Sequence, residues 1–167
     1  MMEAAQELDH HYIPPRYTSR RATRMLTPPE PPMSTTPEPS QSERLIKVRG
    51  SSSSVTVIYV DFPAVNRYLR RAVEALVREH PEIERILLFG SFATGQAVPG
   101  SDLDLLIILK QADRRFHDRM PLYRPPGCDL DVDVFPYTQV ELDSMLADGN
   151  WFIRRALAEG VQIYPTP

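Results

Sequence analysis

From residue 55 onward the apolar positions switch between a spacing of two and a spacing of three or four, and the switches mark out the elements. Val55 to Val60 is β-branched and aromatic, the composition of a short strand. Apolar residues then recur at Val65, Tyr68, Leu69, Ala72, Val73, Leu76 and Val77, one face of an amphipathic helix. Asp61 stands at its N-cap position and Pro63 in its first turn. Pro81 disfavours the helical conformation at His80, so the helix is expected to stop there, with His80 as a helix-end residue. Ile86 to Phe89 is a short continuous apolar run, fitting a strand buried on both faces, and Gly90-Ser91 ends it. One helical turn over Phe92 to Gly95 and a Pro99-Gly100 turn lead to a strand from Asp102 to Leu109. Period two sets Asp102, Asp104, Leu106 and Ile108 on one face of that strand.

Residues 110 to 127 are charged and then rich in Pro and Gly, a connection of undefined structure. Acidic and apolar residues alternate strictly over Cys128 to Phe135, which predicts another strand with Asp129, Asp131 and Asp133 on one face. Thr138-Gln139-Val140-Glu141 fits a capping box that opens a helix through Leu142, Met145 and Leu146. Gly149-Asn150 breaks it, and a last helix carries Phe152, Ile153, Ala156 and Leu157. Gly160 is placed for a C-cap before a final strand, Val161 to Tyr164. The fold class expected from this order is α/β, or α+β: a mixed sheet of about four or five strands with helices packed on one side.

Composition divides the chain in two. The 167 residues are 42% hydrophobic, enough for one core, and the apolar residues concentrate after residue 54. Of the 17 prolines, Pro14, Pro15, Pro28, Pro29, Pro31, Pro32, Pro37 and Pro39 precede that point, together with the run Ser51 to Ser54. Residues 1–54 are therefore expected to form a disordered Pro/Ser-rich tail, and residues 55–167 the folded domain. The net charge of -3 argues against strong general binding of nucleic acid. A single cysteine, Cys128, excludes an intramolecular disulfide and a cysteine-built zinc cluster. With no run of 18 apolar residues, no membrane span is expected, and the protein is read as cytoplasmic.

The candidate chemistry lies between residues 88 and 109. Gly90-Ser91 is followed by ten residues and then Asp102-Leu103-Asp104, with a third carboxylate offered by the strand beyond. Glycine lets backbone approach phosphates, and crowded carboxylates repel one another unless they face water or divalent cations. Magnesium takes one or two carboxylates together with substrate phosphates. Two such ions about 4 Å apart activate an attacking hydroxyl and stabilise a leaving pyrophosphate.

Leu-Phe-Gly-Ser, nine residues and Ser-Asp-Leu-Asp-Leu together resemble the signature of the minimal nucleotidyltransferases of the DNA polymerase beta-like superfamily. The stretches Asp131 to Thr138 and Ala158 to Tyr164 are similar to that family's third-carboxylate strand and ending. The resemblance covers about residues 55 to 164. It implies the polymerase beta-like nucleotidyltransferase fold, with Gly90 and Ser91 holding the triphosphate of ATP or another NTP. Asp102 and Asp104 would bind two Mg2+ ions; Asp133, preferred over Asp131, would bind one of them and help deprotonate the acceptor hydroxyl. Members of the family include aminoglycoside-modifying enzymes and antitoxins that place AMP from ATP on a HEPN-type toxin partner, and the antitoxin-like group is the smaller and closer match in size. Many members carry arginines in the Gly-Ser turn where this chain has Phe92 and Thr94, which leaves phosphate charge to magnesium or to another residue such as Lys110.

Two rivals stand beside this reading. Asp131-Val132-Asp133-Val134 mimics the nucleophile motif of haloacid dehalogenase phosphatases, but too little chain follows to build that fold. The other rival is a non-catalytic module that neutralises a partner by complex formation alone.

Overall fold

The computed structural model describes residues 44–51 and 55–166. Strands β1 (Ile46–Ser51) and β2 (Val55–Val60) pair antiparallel as a hairpin, Ile46 opposite Val60. The second strand is the expected one, whereas the first lies on the tail side of the boundary drawn at residue 54. Leu45 is buried in the core, its N–H donates to the Asp129 carboxylate at 3.1 Å, and its carbonyl accepts from Asp61 N–H at 2.8 Å. Lys47 forms an ion pair with Asp61. Strand pairing and core burial thus extend to residues before the serine run; the rest of the expected tail, residues 1–43 and 52–54, lies outside the described residues.

Helix α1 (Phe62–Glu79) forms where the spacing predicts it. The Asp61 carboxylate accepts from Ala64 N–H at 2.9 Å, and His80 closes the C-terminus by donating its N–H to Leu76 O at 2.8 Å. Strand β3 (Ile83–Phe89) runs into the single turn α2 (Gly90–Ala93), and β4 (Leu103–Leu109) follows. The connection of undefined structure contains α3 (Phe116–Arg119) and a 3-10 turn over Met120–Tyr123. Then come β5 (Val132–Thr138), α4 (Gln139–Ala147), α5 (Trp151–Glu159) and β6 (Val161–Tyr164). The predicted capping box is present in full: Glu141 N–H donates to Thr138 Oγ1, and Thr138 N–H donates to the Glu141 carboxylate.

The four-stranded sheet has the order β5-β4-β3-β6, with β4 and β5 parallel and the other pairs antiparallel. The mixed sheet is as expected, but its helices flank both faces rather than one. α1 packs on Leu103, Leu105, Ile107 and Leu109, while α4 and α5 pack on Leu106, Ile108, Phe135 and Tyr137. The cause lies in β4, every residue of which is buried. Burying a leucine or isoleucine contributes about 1.5–3 kcal/mol, so a strand apolar on both sides is covered on both sides. Among the described residues no helix is long and apolar enough to cross a membrane.

Strand β5 starts later than the acidic alternation suggests. Asp129 turns away to Leu45 N–H, and Asp131, exposed, sits 3.6 Å from Arg124, so pairing with β4 begins at Val132 and extends to Thr138. As an edge strand β5 tolerates Pro136. In a strand the N–H and C=O of one residue point to the same side, and the Pro136 carbonyl accepts from Arg119 Nη1 at 2.9 Å on the side away from β4. The missing proline N–H thus falls where no ladder partner stands.

Candidate active site

Asp104 is the second residue of β4, and its position follows from the two strands beside it. It lies opposite Phe89 on β3 and in register with Asp133 on β5. Neighbouring strands stand about 4.8 Å apart, so the two carboxylates leave one face of the sheet side by side. Phe89 is followed by Gly90, whose φ of 71° belongs to the left-handed region that glycine enters without strain. A Cβ added there would fall 2.2 Å from Asp104 Oδ2. The loop can lie against this carboxylate only because residue 90 has no side chain, and Asp104 is accordingly only 5% exposed.

The turn after Gly90 is fastened by its own hydrogen bonds. Thr94 Oγ1 donates to the Gly90 carbonyl at 3.2 Å, and Gln96 N–H donates to the Ser91 carbonyl at 2.9 Å. Further on, Val98 N–H donates to Ser101 Oγ at 3.0 Å, folding the chain back to Asp102 just before β4 begins. Gly90, Ser91, Asp102 and Asp104 thereby come to line one cleft of about 330 Å³. Asp133 does not line it; half-buried, it stands on the far flank of Asp104. Of the three alternating aspartates, Asp133 alone is in register with Asp104, while Asp129 and Asp131 are directed elsewhere.

The opposite wall is α5, and the sequence reading gave that helix no part in the site. Phe152, Arg155, Ala156 and Glu159 line the cleft. Asn150 caps the helix by accepting from Ile153 N–H at 3.1 Å. Phe152 wedges against Phe89 and Phe135 at ring distances of 5.7 and 5.2 Å, fixing the helix on the sheet. Arg155 Nε donates to Glu159 Oε2 at 3.0 Å. The signal was in the spacing: positions 152, 155, 156 and 159 share one helical face, so a charged pair was set into an apolar stripe. Gly160 ends α5 with a φ of -71°, not in the left-handed conformation expected of a C-cap glycine; an added Cβ would meet the Ala156 carbonyl at 2.4 Å.

Lys110 does not serve this cleft. It follows the last residue of β4, about 20 Å of strand from Asp104, and its Nζ donates to the Pro81 carbonyl at 3.2 Å. His117, an exposed residue of α3, also stands away from the cleft lining.

Among the described residues no group of three or more His, Cys, Asp or Glu side chains forms a ready-made metal cage. What the fold supplies is Asp104 pressed under a bare glycine loop, Asp102 two residues before it, and Asp133 beside it. That all-oxygen set fits magnesium, which usually takes one or two carboxylates and completes its shell with water and substrate phosphates. It does not fit a metal that needs four protein ligands.

The family model described as a nucleotidyltransferase domain matches residues 69–163, a span that holds α1 from Leu69 onward, the Gly-Ser loop, all three carboxylates and α5. No curated protein is significantly similar to the chain. Among solved structures, a protein from Sulfolobus solfataricus described as a nucleotidyltransferase is 26% identical, over 50% of this chain and 75% of that one, with a TM-score of 0.41. A toxin-antitoxin structure with AMP-PNP is 20% identical, over 58% of this chain and 73% of that one, with a TM-score of 0.38. Because the family match spans more than half of the sequence, the chain belongs to the nucleotidyltransferase domain family, whose members are enzymes of nucleotidyl transfer.

Proposed function

We propose that the protein transfers a nucleoside monophosphate, AMP from ATP, to a hydroxyl group of an acceptor and releases pyrophosphate. The observation that carries this reading is the position of Asp104, buried between the Gly90 loop and Asp133 on the adjacent strand. Gly90 and Ser91 hold the triphosphate: the glycine admits it close to the backbone, and the Ser91 hydroxyl donates to a phosphate oxygen. Asp102, Asp104 and Asp133 hold two magnesium ions, which when bound neutralise charge on the phosphates and lower the pKa of the acceptor hydroxyl.

Asp133, beside Asp104 and less deeply buried, accepts the acceptor's proton on a carboxylate oxygen. The acceptor oxygen forms a bond to the α-phosphorus, and the bond from that phosphorus to the bridging oxygen breaks. Pyrophosphate leaves with that electron pair. The antitoxin-like resemblance supports a HEPN-type toxin as the acceptor, with the transferred AMP blocking it.

Labelled ATP, magnesium and the co-expressed partner test this directly. Expected are AMP incorporation into the partner and pyrophosphate release, both lost in Asp102→Asn and Asp104→Asn. Neutralisation of the partner that persists unchanged in both variants, without AMP transfer, would establish the binding-module alternative and overturn catalysis as the function.

A further inference from the structure

We infer that Arg155 on α5 is the side chain that receives the triphosphate of the donor nucleotide, and that Glu159 holds it in place when no nucleotide is bound. This rests on the nucleotidyl-transfer reading of the cleft. The segment from Gly90 to Leu109 contains no lysine or arginine, so the loop itself offers a polyanion no positive side chain. The cleft lining includes the acids Asp102, Asp104 and Glu159, and among the described residues Arg155 is its one basic side chain. Three carboxylates against one guanidinium repel a triphosphate unless cations are added. Magnesium meets the charge at Asp102 and Asp104, and Arg155 meets it on the opposite wall.

The mounting of Arg155 suits that task. Phe152 and Ala156, on the same face of α5, are 2% and 1% exposed, so the helix backbone is fixed against Phe89 and the sheet. The side chain of Arg155 is 61% exposed in the cleft mouth. Its bond to Glu159 uses Nε, one of five donors, and the guanidinium fork matches two phosphate oxygens at once. An ion pair one helical turn long between two exposed side chains is weak. Exchanging the Glu159 carboxylate for a phosphate therefore meets little resistance, and Glu159 acts as a competitor that lowers nucleotide affinity.

The experiment compares Mg-ATP, AMP and adenosine binding to the full chain, by calorimetry, for the wild type, Arg155→Gln, Arg155→Lys and Glu159→Gln. Arg155→Gln is expected to weaken ATP binding about 10–100-fold, the loss typical of a hydrogen bond to a charged group, with adenosine binding unchanged. Arg155→Lys restores part of the affinity, and Glu159→Gln tightens ATP binding a few-fold relative to wild type. Equal losses for ATP and adenosine would show that Arg155 only shapes the cleft, and overturn the inference. If the wild type binds ATP and Arg155→Gln binds it equally well, the inference fails while the nucleotidyl-transfer reading stands. A wild type that binds no nucleotide in magnesium overturns both.

Discussion

Two clefts of similar size lie at opposite ends of the sheet, one of about 330 Å³ beside Asp104 and one of about 290 Å³ beside Arg119 and Tyr123. Volume does not distinguish them; the use of their acids does. At the far end Glu82 and Glu141 are held by named protein donors. Glu82 accepts from Tyr123 Oη at 2.6 Å and from His80 Nδ1 at 3.1 Å, and Glu141 accepts from Arg119 and from Thr138 N–H. Burial alone would push both carboxyls up, but these donors more than offset it, and both lie below the ordinary glutamate value. At the near end, three acids line the cleft with a single guanidinium, and a fourth acid stands behind Asp104. One end closes on itself, and under the proposed function the other would receive cations and phosphates. A substitution at the first should therefore cost stability, and one at the second should cost chemistry.

The largest break in that comparison is expected from Asp104→Asn. It should lower the transfer rate by at least about 10³-fold, the scale set by removing one preorganised electrostatic group. The unfolding midpoint should stay unchanged or rise, because a carboxylate standing beside Asp133 is relieved of repulsion. Initial rates and a thermal melt of the same preparation check both halves. At the far end Arg119→Met should do the opposite. It leaves Glu141 half-buried without its guanidinium, at a cost near the low end of the roughly 3–5 kcal/mol range for broken buried pairs, since Thr138 N–H remains. Transfer per folded molecule should be unaffected. Arg119 has one buried atom, Nε, with no hydrogen-bond partner, so a methionine of similar length also removes a liability.

Gly90→Ala joins the two kinds of effect. The left-handed φ costs an alanine about 1 kcal/mol, and the clash with Asp104 Oδ2 forces the loop or the carboxylate to move. Stability should fall by about 1–3 kcal/mol, and the transfer rate should drop by on the order of 10²-fold, as expected when a positioned group shifts by about 1 Å. A rate that survives while stability falls would show that the close approach of loop and carboxylate serves packing only.

What could be read in advance followed the range of the interaction. The Asp61 cap, the Thr138–Glu141 box and the spacing from Gly90 to Asp104 are local, and their geometry is written in residues a few positions apart. Selecting among Asp129, Asp131 and Asp133 is not local. All three alternate identically, and only the pull of Leu45 N–H on one and of Arg124 on another leaves Asp133 for the sheet. The hairpin strand at Ile46–Ser51 was hidden for a related reason. Leu45 and Ile46 are a short apolar pair embedded in Ser- and Pro-rich surroundings, and the burial of Leu45 depends on α1 and residue 129. Arg155 was invisible because an i,i+4 charge pair usually marks a solvated helix face, and only the packing of α5 against α2 turns this one toward the cleft.

The smallest effect tests the claim that the far end is closed on itself. Tyr123→Phe removes the hydroxyl that donates to Glu82 and leaves the ring tilted against His80 at 4.6 Å. Glu82 lies below its ordinary value of 4.5 through three hydrogen bonds, from Tyr123, from backbone and from His80, which together exceed the effect of burial. A carboxyl depressed in the folded state adds stability at pH values above its unfolded pKa, and that stability is lost as the pH falls through the folded value. The variant should therefore be about 1 kcal/mol less stable than wild type at pH 7, with the two denaturation curves converging as the pH drops well below 4.5. A gap that stays constant from pH 7 to strongly acid conditions would mean that the hydroxyl contributes through packing, and that Glu82 is not held as the contrast between the two ends requires.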